Sequence, residues 1–528
     1  MEKNKLLFLP FFVGLVLMIY SWYVSYPLSV NSVSDIIYNH VSILYWISIP
    51  ILLTSMFMMA TTFKSQYSKW ILTVGFVIVL YSLVYFYFTM STVDADYFRG
   101  LTENFIRTNS LNASQLIHNY YQWPSFFLLA SITTLVSGLK LTSYEFLLFT
   151  IIGFLLSTAL YIYASKAYNR SGFLMVAAFF VVMFLFLNYQ AVPFSLAFAL
   201  LLILFILETR ERSAGTTLTM IILFISTVIT HAFVPLFFVI YLLIRSIISR
   251  SRQYFDFFIL TLVIFMVVQI TFAEISFRGN IISAFTPPKE YSAVVGATLA
   301  STSVSIDAIP HLFSRTITIA FAVLCIAGFV FIVFRRKLRE IDKAIFLTGA
   351  VYSGLGVVLS VLGTRAIAIV FVPISLGIAY LFESKFRKFL KYLVVVMLVI
   401  MLVFVVFVPI HSSLTSNLIT FQTKEDLATA NFMIEKYDWN SKSTVIADSG
   451  TAWYILPQIQ GNTQIDTQFT TRFGLSNIMM YDSVIYSVGL AESLNMSNIS
   501  VDNGSQQIMD RLDVVYNSGF SYIATKGS

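Results

Sequence analysis

Long apolar runs alternate with short polar interruptions along most of the chain. Runs near 6–24, 43–62, 69–90, 143–164, 172–187, 190–208, 215–231, 232–248, 255–275, 312–334, 343–362, 366–382 and 391–410 stand out. Each is close to the roughly 20 apolar residues an α-helix needs to cross a bilayer, so they predict about 13 transmembrane helices. One further stretch, "WPSFFLLASITTLVSG" at 123–138, is shorter, carries Ser and Thr, and has Pro124 at its start. It reads as an interfacial or re-entrant helix. Counting it as a span would move every later basic loop to the other side of the membrane.

Three stretches break the apolar rhythm. Residues 91–142 begin "STVDADYFRGLTENF" and read as a helix, a polar link, then an aromatic-rich turn into the short helix. Residues 276–311 are rich in Ser, Gly, Pro and Thr and read as a second outer loop. From 411 the chain has the composition of a soluble domain. Its pattern is a helix over "TKEDLATANFMIEKY", a strand in "STVIADSGT", then a helix, a turn and a second strand across "QQIMDRLDVVYNSGFSYIAT". The fold class expected is an all-α polytopic membrane protein, residues 1–410, with a small extracytoplasmic α/β C-terminal domain, residues 411–528, built on a partly parallel sheet. Asp448 and Asp466 read as loop aspartates at strand ends, with a role as site residues of the tail as the alternative.

Composition supports the membrane class. The chain is 58% apolar and 11% charged, with a mean hydropathy of +0.82, where a soluble domain carries about 25% charged residues. The net charge of +7 comes from Lys and Arg gathered in alternate short loops. That alternation implies a multi-pass cell-membrane protein with a cytoplasmic N-terminus, and it offers no nucleic-acid surface. The opening "MEKNKLLFLPFFVGLVLMIY" lacks a small-residue cleavage site and reads as an uncleaved first span. The single cysteine, Cys325, allows neither an intrachain disulfide nor a cysteine metal site.

Charge is scarce, so its exceptions matter. Asp94 and Asp96 follow an outward-going span and open the first outer loop; alone, such a pair is a solvated loop start. Arg365, in "GTRAIA", lies between two spans where the short loops otherwise lack basic residues. An arginine reaching hydrocarbon there would cost roughly 2.5–3.5 kcal/mol; the plain alternative is one that snorkels to outer headgroups. In "VITHAFVPLFFVIY", His231 is either a phosphate contact or part of a kink with Pro235. His118, Tyr120 and Tyr121, in "HNYYQWP", suit a docking sugar or acceptor, or an aromatic belt. Glu274 sits near the outer end of a span. Arg278, Lys289 and Arg315 read as solvated charges of the second loop or as further lipid-phosphate contacts.

This order of elements resembles the polytopic GT-C glycosyltransferases that use polyprenyl-phosphate-linked sugars, among them protein O-mannosyltransferases and aminoarabinose transferases. Asp94, Asp96, "HNYYQWP", Gly138, His231 with Pro235, and Thr364-Arg365 carry the resemblance. It implies a membrane enzyme that moves a sugar from a polyprenyl-phosphate donor to a protein, glycan or lipid acceptor on the extracytoplasmic face. Asp94 would be the general base. Asp96 would position the acceptor or, if one is used, a divalent metal, magnesium or manganese. Arg365 and His231 would meet the donor phosphate, and His118, Tyr120, Tyr121 and Glu274 would line the substrate site. The tail has no Trp-Trp-Asp signature, so en bloc transfer to asparagine is not implied. Two other readings stay open. A lipid or glycan flippase or transporter would show internal repeats and mid-membrane polar residues. A polymerase or ligase of lipid-linked glycans would share the carboxylate-and-arginine logic.

Overall fold

The computed structural model describes residues 2–25, 42–80, 82, 93–108, 122–139, 141–168, 172–186, 192–210, 213–274, 322–323, 325–334, 338–359, 363–383 and 431–432, and five strands between 444 and 526. The helices are α1 (Glu2–Ser25), α2 (Ile43–Thr62), α3 (Gln66–Leu80), α4 (Val93–Thr108), α5 (Ser125–Ser137), α6 (Leu141–Tyr168) and α7 (Gly172–Phe186). They continue as α8 (Pro193–Glu208), α9 (Ala214–Val228), α10 (Val234–Ser249), α11 (Arg252–Thr271), α12 (Cys325–Phe334), α13 (Glu340–Leu359) and α14 (Gly363–Glu383). Four of them are long and apolar enough to cross a membrane, over Phe8–Ser25, Ile43–Ala60, Leu147–Ser165 and Arg252–Thr271. The expected span at 391–410 lies outside the described residues, so the described helices do not establish the count of about 13.

Local chemistry sets many helix ends. Pro193 and Pro235 occupy the first turns of α8 and α10, where a missing N–H costs nothing. Ser213 caps α9 by accepting from Thr216 N at 3.1 Å. Gly138 closes α5 in the left-handed region, φ 66°, the conformation glycine adopts without a Cβ penalty.

Contacts between helices define two ends of the bundle. At the first, Phe8 of α1 packs on Phe63 just past α2, and Tyr161 of α6 donates to the Gln66 carbonyl at the start of α3. Two ion-pair groups tie the same end. Arg245 of α10 meets Glu208 of α8 at 3.5 Å, meets Glu340 of α13, and covers the Tyr254 ring of α11 at 5.0 Å. Arg339 grips Asp342 with two bonds of 3.0 Å, and Tyr163 of α6 donates to the same carboxylate. Glu208 and Asp342 are buried, so each charge needs its partner. Lys64, Lys69, Arg210, Arg250, Arg252 and Lys343 also fall here, which makes this the basic end.

At the opposite end, Tyr45 near the start of α2 bonds Ser82 beyond α3 at 2.9 Å. Phe194 at the start of α8 packs edge-on against His231 between α9 and α10. The start of α10 meets the late part of α13, where Phe237 stacks on Tyr352. Helix α5 begins at this end, since Ser125 N donates to the Ile229 carbonyl at 3.1 Å. It also finishes near this end. Tyr163 sits at the basic end, and the rise from Leu141 to Tyr163 is about 33 Å, so α6 starts at the opposite end, three residues beyond α5. Helix α5 therefore lies across one end of the bundle and does not traverse it.

Outward faces of α1, α9 and α11 carry exposed apolar stripes, among them Leu218, Ile222 and Ile225 on α9 and Val263, Val267 and Ile270 on α11. Contiguous apolar surface of this kind suits lipid and not water. In the tail, β1 (Thr444–Ala447), β2 (Gln464–Asp466), β3 (Val484–Val488), β4 (Leu512–Asn517) and β5 (Tyr522–Lys526) form one sheet in the order β2-β1-β3-β5-β4. Strand β1 pairs in parallel with β2 and β3, while β5 pairs antiparallel with β3 and β4. Residues 512–517, read from sequence as the end of a helix, are instead a strand: their Leu, Val and Tyr side chains suit a pleat, and β5 supplies the pairing edge. Of the expected opening helix only 431–432 are described, and they are helical.

Candidate functional site

The opposite end gathers the segments that carry the candidate residues. Helix α4, which follows α3 in the chain, packs on α5 there, with Asp94 and Asp96 in its first turn. Its Phe98 ring packs on Phe126 and Phe127 of α5, at centroid distances of 6.1 and 5.8 Å. Acidic residues in a first helical turn complement the helix dipole. A helical Asp-x-Asp has a further consequence: positions i and i+2 do not share a face. Asp94 stands one turn before Phe98 in the helix. Asp96 stands on a different face, one turn before Arg99. Among the described residues no three His, Cys, Asp or Glu gather as a metal site.

The next segment is the break between α9 and α10. Chain direction reverses over Ile229–Phe233, and the Ile229 carbonyl holds the start of α5. His231 is buried, 6% exposed, and its Nδ1 accepts from the backbone N–H groups of Phe233, at 3.1 Å, and Val234, at 3.4 Å. The imidazole thus caps α10, taking two of the orphan donors every helix N-terminus presents. Of the two roles the sequence left open for His231, the structure gives the ring's inner nitrogen to the structural one.

From this break the contacts run on to Arg365. Tyr352 of α13 donates to the Phe233 carbonyl at 3.4 Å and stacks on Phe237. Gly349 of α13 lies directly against Val370 of α14, which sets the register of that antiparallel pair. Arg365 is five residues before Val370, about 7 Å along α14, so its backbone is level with the turn of α13 just past Tyr352. Glu274 follows α11 at the same end and is exposed. His118, Tyr120 and Tyr121 lie outside the described residues, as do Arg278, Lys289 and Arg315. One residue was not singled out from sequence. Arg99 of α4 is a fully buried arginine, 2% exposed; its only sequence signal was its place three residues after Asp96.

No protein-family model and no curated protein sequence matches the chain. Among solved structures, it is similar to the crystal structure of ArnT from Cupriavidus metallidurans in the apo state, with a TM-score of 0.38 and 9% identity over 85% of this chain and 98% of that one. A likeness at that score establishes no common fold. What stands on the chain's own residues is a helical membrane protein with chemistry-bearing segments gathered at the end away from its basic loops.

Proposed function

We propose that the chain is a GT-C-type integral membrane glycosyltransferase. It transfers a sugar from a polyprenyl-phosphate donor to a protein, glycan or lipid acceptor on the extracytoplasmic face. One observation carries this reading. The helix bearing Asp94 and Asp96, the His231 turn and the helix start bearing Arg365 are linked by successive contacts at one end of the bundle, opposite the basic end. The positive-inside rule puts the basic end in the cytoplasm and the candidate site outside. Nucleotide sugars are not expected there, which favours a lipid-phosphate donor. The tail, 411–528, is on the same side in this scheme and forms a separate α/β domain.

In the reaction, Asp94 takes a proton from the acceptor hydroxyl or amine as that group bonds to the sugar's anomeric carbon. The bond from that carbon to the phosphate oxygen breaks, and polyprenyl phosphate leaves with the electron pair. Arg365 offsets the charge developing on the leaving phosphate. His118, Tyr120, Tyr121 and Glu274 are proposed as contacts to sugar or acceptor. The test uses the purified protein in nanodiscs with a sugar-labelled polyprenyl-phosphate donor. Transfer of label, with release of free polyprenyl phosphate, is expected; movement of intact donor across a bilayer without cleavage would make the protein a flippase. Arg365→Ala should lower kcat/KM for the donor by about a hundredfold. Unchanged kinetics would assign Arg365 to lipid headgroups instead.

A further inference from the structure

The roles above leave one buried charge without a task. Arg99 heads the fully buried side chains by size among the described residues. A guanidinium stays protonated at any physiological pH. Burying it is costly unless an anion or a full set of acceptors meets it. The buried polar neighbours on its own helix bring no negative charge. Thr102 gives its hydroxyl proton to the Phe98 carbonyl at 2.8 Å, and the Asn104 side-chain oxygen accepts from Arg107 at 3.3 Å.

Helix spacing narrows the choice of anion on α4. Asp96 is three residues before Arg99 and Glu103 is four after, so both share its face; Asp94, five before, does not. Asp96 has the better order, with the acid N-terminal to the base and in the first turn, where the helix dipole favours a carboxylate. Glu103 is mid-helix and half-buried.

We propose that Arg99 is a positioning residue for the transfer reaction: it pairs with Asp96, holds that carboxylate ionised and fixed, and so leaves Asp94 as the carboxylate that takes the acceptor's proton. This rests on the transferase reading, and it divides the two aspartates by helix face. Asp96 belongs to the arginine's face, and Asp94 does not.

The test combines melting and turnover of the full-length protein in nanodiscs. Arg99→Gln should melt below wild type. Adding Asp96→Asn to it should cost nothing more, because no unpaired charge remains, whereas adding Glu103→Gln should bring its own separate loss. In turnover, Arg99→Gln should lose about a hundredfold in kcat, with donor KM unchanged, as expected for a misplaced catalytic group. Arg99→Lys, which keeps the charge but not the planar fork, should recover to within about tenfold of wild type. If Arg99→Gln does not fold, the same comparison is made on Arg99→Lys with and without Asp96→Asn. The proposal is overturned if Glu103 and not Asp96 couples to Arg99. It is equally overturned if Arg99→Gln turns over at the wild-type kcat. If Asp96 and Arg99 couple in melting but the wild type transfers no sugar, the transferase reading fails and the pairing stands.

Discussion

A ring nitrogen of His231 holds the start of α10, and that makes the residue's structural role measurable apart from any chemistry. His231→Ala exposes two backbone donors in a buried turn and should cost about 1 kcal/mol, the usual price of a lost cap. His231→Asn has a side-chain oxygen for the same donors and should melt close to wild type. Equal melting of the alanine variant and wild type would show that the cap contributes nothing. Among single residues, the sequence singles out Asp94, Asp96 and Arg365 because charges are rare beside apolar runs. Arg99 was not. In a string of letters it is one of two arginines in an amphipathic stretch, and only the packing of α4 shows that it is buried while Arg107 is exposed.

Between elements, backbone contact replaces side-chain packing at one crossing. Gly328 of α12 and Gly377 of α14 lie against each other, and a Cβ on Gly377 would fall inside contact distance of the Cys325 carbonyl. Small residues allow such close approach of helices in lipid. Gly377→Ala should therefore destabilise by about 1–3 kcal/mol through overpacking. Gly215→Ala, where the nearest atom is Ser213 Oγ at 3.9 Å, should be close to neutral. Comparable melting of the two variants would contradict the crossing. The helices themselves were largely legible. Backbone in an apolar medium must satisfy its own hydrogen bonds, so a long apolar run becomes a helix almost regardless of propensity. The expected 43–62, 172–187 and 190–208 agree with Ile43–Thr62, Gly172–Phe186 and Pro193–Glu208. The tail lacks that constraint. Residues 512–517 form a strand because β5 pairs with them, which no local pattern reveals.

For the whole molecule, the organising feature is the separation of its two ends. Glu208, Arg245 and Glu340, with Arg339, Asp342 and Tyr163, tie α6, α8, α10 and α13 together at the basic end. The break at His231 and the starts of α4, α5 and α14 gather at the other. The course of α5 along that end supports reading 123–138 as a helix that does not cross. A cysteine introduced at Lys140 should accept a membrane-impermeant thiol reagent from the extracytoplasmic side; labelling from the cytoplasmic side would invert the scheme. The native Cys325 is fully buried and gives a quiet background. Asp94 as the base of a glycosyl transfer is tested most directly by turnover of a polyprenyl-phosphate sugar by purified Asp94→Asn protein that melts like wild type. A loss of about a hundredfold or more is expected, the usual contribution of a general base. Turnover at the wild-type rate would contradict it.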